Sequence, residues 1–300
     1  MRPATDSRTL VSAPMSLNVG PRRTDAIGVI GVVHIHKTAG TTLAGVFKRS
    51  FGGGHCDVLP AEPGIEVLTA AGLREVRRWY PRLRSILGHG VRVYTGLEDE
   101  EPDIEYVTFL REPIVRTASH YQYDMQRGGV DLPFGEWITH DAVRDRQTRI
   151  IAGPGGTAEE AIALMPRFSF VGRADRFDES LLMMQRAMAL PDVRYASKWV
   201  APSNDIKKRL LGDPAAMEML TAVNRNDLAV WEHFTTDVYP KQEAEYGPGL
   251  AEDLARFKNA NARMTRFRMY ASPHYAAYVA KWRFLYRPWV RRVTGDPTVG

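Results

Sequence analysis

The stretch VVHIHKTAGTT, from Val32 to Thr42, decides the fold of this chain. An apolar run ends within it, and a lysine, a glycine and three threonines then follow within six residues. Leu43, Val46 and Phe47 recur at helical spacing after the threonines, so the stretch predicts a strand, a tight loop and a helix. A loop of this kind usually binds a phosphate group. It is not a standard Walker loop, because His36 stands where GxxxxGK[ST] places its second glycine.

Strands and helices alternate along the rest of the chain. Strands are predicted at residues 27–35, 85–89, 105–110 and 168–171, and helices at about 41–51, 66–80, 113–126, 134–151 and 176–188, with one or two more between 217 and 234. This alternation predicts a P-loop-like three-layer α/β sandwich, in which helices flank a central parallel sheet. Ligands bind at the carboxyl ends of the strands in such sheets, and Lys37 and Arg111 both lie at that edge.

The composition indicates a globular chain. It has 300 residues, of which 44% are hydrophobic and 25% charged. We expect a flexible leader at residues 1–26, a main domain at 27–250 and a basic, aromatic helical extension at 251–300. The single cysteine excludes an internal disulfide and fits a reducing compartment. No apolar run approaches the roughly 20 residues of a membrane helix, and no signal peptide is evident, so we expect a cytoplasmic enzyme.

The first loop has the residue types that an anion site needs. Gly40 permits a close approach, Thr38, Thr41 and Thr42 supply hydroxyl donors, and Lys37 supplies a positive charge. A structural alternative fits the same residues: one of the last two threonines caps the helix and the lysine is solvated.

A second strand-to-helix turn, LREPIVRTASHY, repeats this pattern from Leu110 onward. Arg111 leaves the end of a strand, and Ser119 lies eight residues further, about two helical turns along. An arginine can bind a phosphate at two points, which a lysine cannot. The structural alternative is a surface pair between Arg111 and Glu112, with a solvated serine.

The two turns together resemble a known family. HIHKTAGTTL is similar to the 5′-phosphosulfate loop of the carbohydrate sulfotransferases of the heparan-sulfate 2-O and chondroitin type, and FLREPIVRTASHY is similar to their 3′-phosphate segment. Gly88-His89 and VGRADRFDESL resemble two further elements of that family, so the resemblance spans about Val29 to Leu182. His36 departs from the usual proline, Glu112 from an aspartate and Asp175 from a glutamate.

The resemblance implies a reaction and a set of site residues. Members of the family transfer a sulfuryl group from PAPS (3′-phosphoadenosine 5′-phosphosulfate) to a sugar hydroxyl, by in-line chemistry that should resemble phosphoryl transfer. His89 would act as the base and Lys37 would stabilise the leaving group. The residues implied to bind PAPS, with no metal, are Lys37, Thr38, Ala39, Gly40, Thr41, Thr42, Arg111 and Ser119.

Three other functions fit parts of the sequence. His34 and His36 share one face of a strand and, with His55, Cys56 or His89, suggest a zinc metallohydrolase, although no standard zinc spacing is present. A P-loop kinase has a similar fold but needs the missing Walker glycine. A nucleotide- or glycan-binding protein without catalysis would not need the histidine base.

The positive charge is concentrated at the C-terminus. The net charge is +5, and residues 251–300 carry ten Lys or Arg and three Asp or Glu. Six aromatic or apolar residues share one helical face there: Tyr275, Tyr278, Val279, Trp282, Leu285 and Tyr286. We favour a terminal helix packed on the core with a solvated basic face. The second interpretation is peripheral membrane contact or binding of an anionic or lipid-linked acceptor. No nucleic-acid motif accompanies the charge, so no nucleic-acid partner is expected.

Overall fold

The computed structural model describes residues 28–59, 66–196 and 203–295, so the predicted leader at residues 1–26 lies outside the described residues. The strands are β1 Ile30–Val33, β2 His55–Asp57, β3 Ser85–Gly88, β4 Glu105–Leu110 and β5 Phe168–Arg173. The α-helices are α1 Gly40–Phe51, α2 Ala70–Trp79, α3 Pro113–Arg127, α4 Phe134–Trp137, α5 Arg146–Ala152, α6 Ala158–Leu164, α7 Phe177–Ala187, α8 Asp205–Gly212, α9 Pro214–Val223, α10 Arg225–His233, α11 Tyr239–Tyr246, α12 Leu250–Asn261, α13 Arg266–Tyr270, α14 Pro273–Lys281 and α15 Arg287–Thr294. Two π-helical segments, Phe234–Val238 and Trp282–Tyr286, join α10 to α11 and α14 to α15.

The strands form one parallel sheet in the order β2-β3-β1-β4-β5, flanked by helices, which confirms the predicted α/β architecture. All four residues of β1 are buried, as expected for a central strand covered on both faces. Val33, at the end of β1, pairs with Gly88 of β3 and Thr108 of β4. The carboxyl ends of the three central strands therefore meet at one edge of the sheet.

Two parts of the sequence prediction differ from the structure. Strand β2 was not predicted, because its three residues are too few to show a periodicity. The single helix predicted at 134–151 is instead α4 and α5, separated by turns. Asp145 ends those turns with a φ of 42°, and its carboxylate accepts hydrogen bonds from the backbone and side chain of Asn226. This tertiary contact breaks the helix at a point that local sequence does not mark.

The C-terminal helices cover the outer edge of β2, which is an edge strand of the sheet. The Tyr278 hydroxyl donates to Asp57 Oδ2 at 2.6 Å, and Trp282 Nε1 donates to the Asp57 carbonyl at 2.8 Å. Tyr286 and Val290 are completely buried. An uncovered edge strand invites pairing with other chains, so this cover also protects the sheet. The C-terminal aromatic residues therefore pack on the core, as the favoured interpretation predicts.

One residue of that predicted face points outward. Leu285 is 51% exposed, although helical spacing places it beside Tyr286 and Trp282. The π-helical segment explains the difference, because its wider turn rotates the following side chains relative to an α-helix. None of the helices in the described ranges has both the length and the apolar character that crossing a bilayer requires.

The buried tyrosine of this cover gives a stability test. We expect Tyr286→Ala to lower the free energy of unfolding by about 3–5 kcal/mol, because it removes a fully buried aromatic ring. The neighbouring control, Leu285→Ala, should change it by less than about 0.5 kcal/mol because that side chain is exposed. Urea unfolding measures both, and equal effects would show that the helix does not pack on β2.

Candidate functional site

Three loops meet at the carboxyl edge of the sheet. Residues 34–39 follow β1, His89 follows β3, and Arg111 follows β4. Because β1 lies between β3 and β4, the loop after β1 is adjacent to both of the others. The strand order therefore brings together Lys37, His89 and Arg111, which are far apart in sequence.

The backbone of the first loop is shaped to receive an anion. Lys37 and Ala39 have φ angles of 69° and 66°, in the left-handed region that residues other than glycine seldom adopt. Within the described residues, the backbone N–H groups of 37–41 have no hydrogen-bond acceptor. Helix α1 begins directly afterwards at Gly40, so its dipole adds to these donors.

The threonines of the loop do not cap α1. The N-cap residue is Ala39, which has no side-chain cap, so the structural alternative for Thr41 and Thr42 is not what the structure has. Thr41 is exposed and Thr42 is half-buried. Thr38 differs from them: it is buried and donates its hydroxyl hydrogen to the Ile35 carbonyl at 2.9 Å, so its side chain holds the loop rather than facing outward.

Gly40 has a structural role beyond a close anion approach. A Cβ built at this position would lie 1.7 Å from Nε2 of His34. The glycine is therefore required for the histidine to pack beneath the start of α1. The ring of His34 leaves no room for a larger residue at this position.

Arg111 contacts the first loop directly. Its Nη1 donates to the Lys37 carbonyl at 3.1 Å. Gln147 fixes the arginine backbone on both sides: its Oε1 accepts from the Arg111 N–H at 3.0 Å and its Nε2 donates to the Arg111 carbonyl at 2.9 Å. Glu112 does not pair with Arg111 but caps α3, accepting from Ile114 N and Val115 N. Among the described residues the guanidinium thus forms no ion pair with a carboxylate, and it is aimed at the loop.

A buried aspartate supports this arrangement from behind. Asp227 accepts hydrogen bonds from the backbone N–H groups of Gln147 and Thr148, at 3.1 and 2.7 Å, and lies 4.0 Å from Arg116. Burial raises the pKa of Asp227, opposed by the charge of Arg116. Nothing in the sequence marks this residue, because NRND has no distinguishing motif.

Lys37 lies in an excess of positive charge. Its Nζ is 4.3 Å from the centroid of the Tyr123 ring. Burial and then the charge of Arg111 lower the pKa of Lys37, with smaller contributions from Arg127 and Lys207, and Asp124 opposes them. An arriving anion would relieve this repulsion. Lys207, from a basic run that nothing in the sequence marks, adds a further positive charge near this loop.

Ser119 lies on the face of α3 that meets Lys37. It is half-buried, and it precedes Tyr123, which contacts the lysine, by one helical turn. Within the described residues its hydroxyl has no hydrogen-bond partner. Ser119 therefore shares a helix face with Tyr123, the residue of α3 that contacts Lys37.

Four histidines form a stacked column beside this space, in the order His34, His89, His36 and His120. The ring centroids of the first two are 4.2 Å apart, those of His89 and His36 are 3.7 Å apart with an angle of 5° between the planes, and His36 and His120 are 5.9 Å apart. The sequence showed the histidines but not the stack, because their four positions belong to two loops and a helix.

The stack sets the state of His89. Its Nδ1 lies 3.1 Å from the His34 carbonyl oxygen, which accepts only a hydrogen, so Nδ1 carries the proton and Nε2 keeps its lone pair. His89 is exposed at its edge, but the stacked rings remove water from both ring faces. This desolvation lowers the pKa of His89, opposed by the hydrogen bond to His34 and assisted by Arg146 and Arg92. A neutral imidazole with a free Nε2 can accept a proton at neutral pH.

Two arginines beside His89 have unpaired nitrogens. Nε of Arg92 and Nε of Arg146 are buried without a hydrogen-bond partner among the described residues. Nδ1 of His36 and Nδ1 of His120 are orphaned in the same way. Buried polar groups normally have partners, so this group of atoms is suited to a polar ligand.

The histidine rings stack rather than converge on one point. In the described part of the chain, no group of three or more His, Cys, Asp or Glu side chains is placed to hold a metal ion. No protein-family model matches the chain, and no curated protein matches it.

The stacked histidines predict an acid-sensitive fold. Burial is the largest cause that lowers the pKa of His36 to about 2 and that of His34 and His120 to about 3. The unfolded state therefore binds more protons below about pH 6.5, and stability falls as the pH falls through that window. With three such groups, we expect a slope of about 4 kcal/mol per pH unit near pH 5.

His120→Gln should reduce this slope by about 1.4 kcal/mol per pH unit, because one proton fewer is then taken up on unfolding. The exposed His140, outside the stack, is the matched control, and His140→Gln should follow the wild-type curve. Urea unfolding at several pH values measures the slope. A slope that is unchanged by His120→Gln would contradict the buried, neutral state of the stack.

Proposed function

We propose that the protein is a PAPS-dependent sulfotransferase that transfers a sulfuryl group to a hydroxyl of a carbohydrate acceptor. The observation that supports this most is the contact between the two predicted nucleotide segments: Arg111 Nη1 lies 3.1 Å from the Lys37 carbonyl. The geometry thus favours one ligand with two anionic ends over two unrelated sites.

The donor would bind across both loops. The unpaired N–H groups of residues 37–41, Lys37 and the hydroxyls of Thr41 and Thr42 would hold the 5′-phosphosulfate. Arg111 and Ser119 would hold the 3′-phosphate, with Lys207 adding charge. A 3′-phosphate pocket distinguishes PAPS from ATP, which has no phosphate at that position.

The residues present can account for every bond and proton of the transfer step. The acceptor hydroxyl oxygen attacks sulfur, the S–O bond to the 5′-phosphate breaks, and the hydroxyl proton passes to Nε2 of His89. Negative charge develops on the phosphate oxygen that leaves, and Lys37 stabilises it. The His34 carbonyl, by accepting from Nδ1, keeps His89 in the tautomer that this step needs.

The acceptor would carry oxygen atoms or negative charge near its reacting hydroxyl. The unpaired Nε atoms of Arg92 and Arg146 beside His89 favour such a group. An anionic sugar satisfies both arginines. We extend the proposal to a carbohydrate or other hydroxylated acceptor, and we retain peripheral membrane contact through the C-terminal helix as a separate prediction.

His89→Ala should abolish turnover but preserve nucleotide binding. We expect a loss of at least about 100-fold in the transfer of label from radiolabelled PAPS to a panel of glycans, because general bases contribute on that scale. Affinity for the desulfonated donor, 3′-phosphoadenosine 5′-phosphate, should change by less than about threefold, since His89 does not hold the nucleotide.

The control for this variant is His140→Ala, at an exposed position outside the stack, which should keep full turnover. Turnover by His89→Ala at the wild-type rate would refute the base assignment. Binding of the nucleotide without any transfer by the wild-type protein would favour the non-catalytic alternative.

Arg111→Lys should reduce the preference for a 3′-phosphate. Gln147 fixes residue 111 through its backbone, so the variant keeps the loop in place while it loses the two-pronged guanidinium. Calorimetry should show affinity for 3′-phosphoadenosine 5′-phosphate falling by about tenfold or more, and affinity for adenosine 5′-phosphate falling by less than about threefold.

The exposed Arg209 on α8 is the control, and Arg209→Lys should leave both affinities unchanged. Equal losses for the two nucleotides in Arg111→Lys would mean that Arg111 does not contact the 3′-phosphate.

A further inference from the structure

A second concentration of arginines lies at the other end of α1. A cavity of about 490 Å³ is lined by Arg49, Arg194, Ala260, Arg263, Met264, Arg268 and Ser272. Arg49 lies nine residues after Gly40, which is about 13 Å along the helix axis. The cavity is therefore distinct from the loop that faces His89.

The positive charge of this cavity is only partly neutralised. Arg49 and Arg194 share one carboxylate, Asp192. Among the described residues, Arg263 and Arg268 have no carboxylate partner, and Nη1 of Arg268 contacts only the Arg263 carbonyl, at 3.3 Å. Four guanidinium groups thus line the cavity, and among the described residues one carboxylate, that of Asp192, pairs with two of them.

The same cavity receives the N-terminal end of α14. Ser272 is the N-cap of that helix, and its Oγ accepts from the Tyr275 N–H at 3.1 Å. The positive end of the helix dipole therefore adds to the field of the arginines. Beside the cavity, Phe267 is 80% exposed between two arginines of α13, which is unusual for a large apolar side chain.

We propose that this cavity binds an oxyanion group, a phosphate or sulfate ester, at a site separate from the catalytic edge. Arg263 and Arg268 would bind it by two-pronged hydrogen bonds, because a guanidinium matches the geometry of a tetrahedral oxyanion. Arg49 and Arg194 are held in place by Asp192 and close the inner wall. The group comes either from a soluble ester or from a lipid headgroup, in which case Phe267 enters the membrane surface.

Modification of arginines by phenylglyoxal, mapped on peptides by mass spectrometry, tests the site residue by residue. Pyrophosphate should slow the modification of Arg263 and Arg268 by about tenfold in the full chain. Arg256, on the neighbouring helix α12 and paired with Glu252 and Asp253, is the internal control and should react at an unchanged rate. Equal rates with and without pyrophosphate, or equal protection of Arg256, would overturn the proposal.

Two variants separate this site from the catalytic edge. In R263Q/R268Q, the affinity for pyrophosphate at this site, measured by calorimetry, should fall by about tenfold or more. In Lys37→Ala, pyrophosphate should still protect Arg263 and Arg268 from phenylglyoxal. Loss of that protection in Lys37→Ala would assign pyrophosphate to the donor loop and overturn the second site. This test does not depend on whether the protein uses PAPS.

Vesicles identify the source of the oxyanion. A lipid headgroup is supported if the protein sediments with phosphatidylcholine vesicles that contain phosphatidic acid but not with vesicles of phosphatidylcholine alone. Phe267→Ser should then reduce the sedimented fraction. Protection by pyrophosphate without sedimentation supports a soluble ester. Sedimentation without protection of Arg263 and Arg268 would place the membrane contact elsewhere on the chain and overturn the proposal, and so would the absence of both effects.

Discussion

The hydrogen bond from Arg111 to the carbonyl of Lys37 joins the two halves of the candidate site. It exists because β1 pairs in parallel with both β3 and β4, so that the loops at their carboxyl ends are neighbours. Gln147, positioned by Asp227, holds the arginine backbone so that the side chain reaches the loop. Without this chain of contacts, two ordinary strand-to-helix turns would have no common ligand.

A second constraint is the cost of charging a buried imidazole. The stacked histidines remove water from one another, so each keeps a lowered pKa and remains neutral. For His89 this leaves a free Nε2, and a protonated ring there would be repelled by Arg146 and Arg92. Gly40 is part of the same constraint, because only a glycine leaves space for the ring of His34. His36 thus occupies the Walker glycine position as a stacking residue.

Much of the fold follows from local sequence. The apolar run into KTAGTT and the strand EYVTFL before Arg111 predict β1, α1, β4 and α3 nearly as the structure has them. Strand β2 is too short to signal itself, and the break at Asp145 depends on a contact with Asn226 across the fold. Leu285 points outward because a π-helical turn interrupts the helix. The motifs located Lys37 and Arg111, but the histidine stack and the role of Gln147 require the sheet order, which no single segment encodes.

The most direct test of the account is calorimetry of the wild-type protein with 3′-phosphoadenosine 5′-phosphate and, separately, with ATP. If Lys37 and Arg111 bind the two ends of one nucleotide, the bisphosphate should bind about 10- to 100-fold more tightly than ATP, because the arginine contact to the 3′-phosphate contributes about 1.5–3 kcal/mol. Equal affinities, or tighter binding of ATP, would contradict the central claim and favour a kinase-like site.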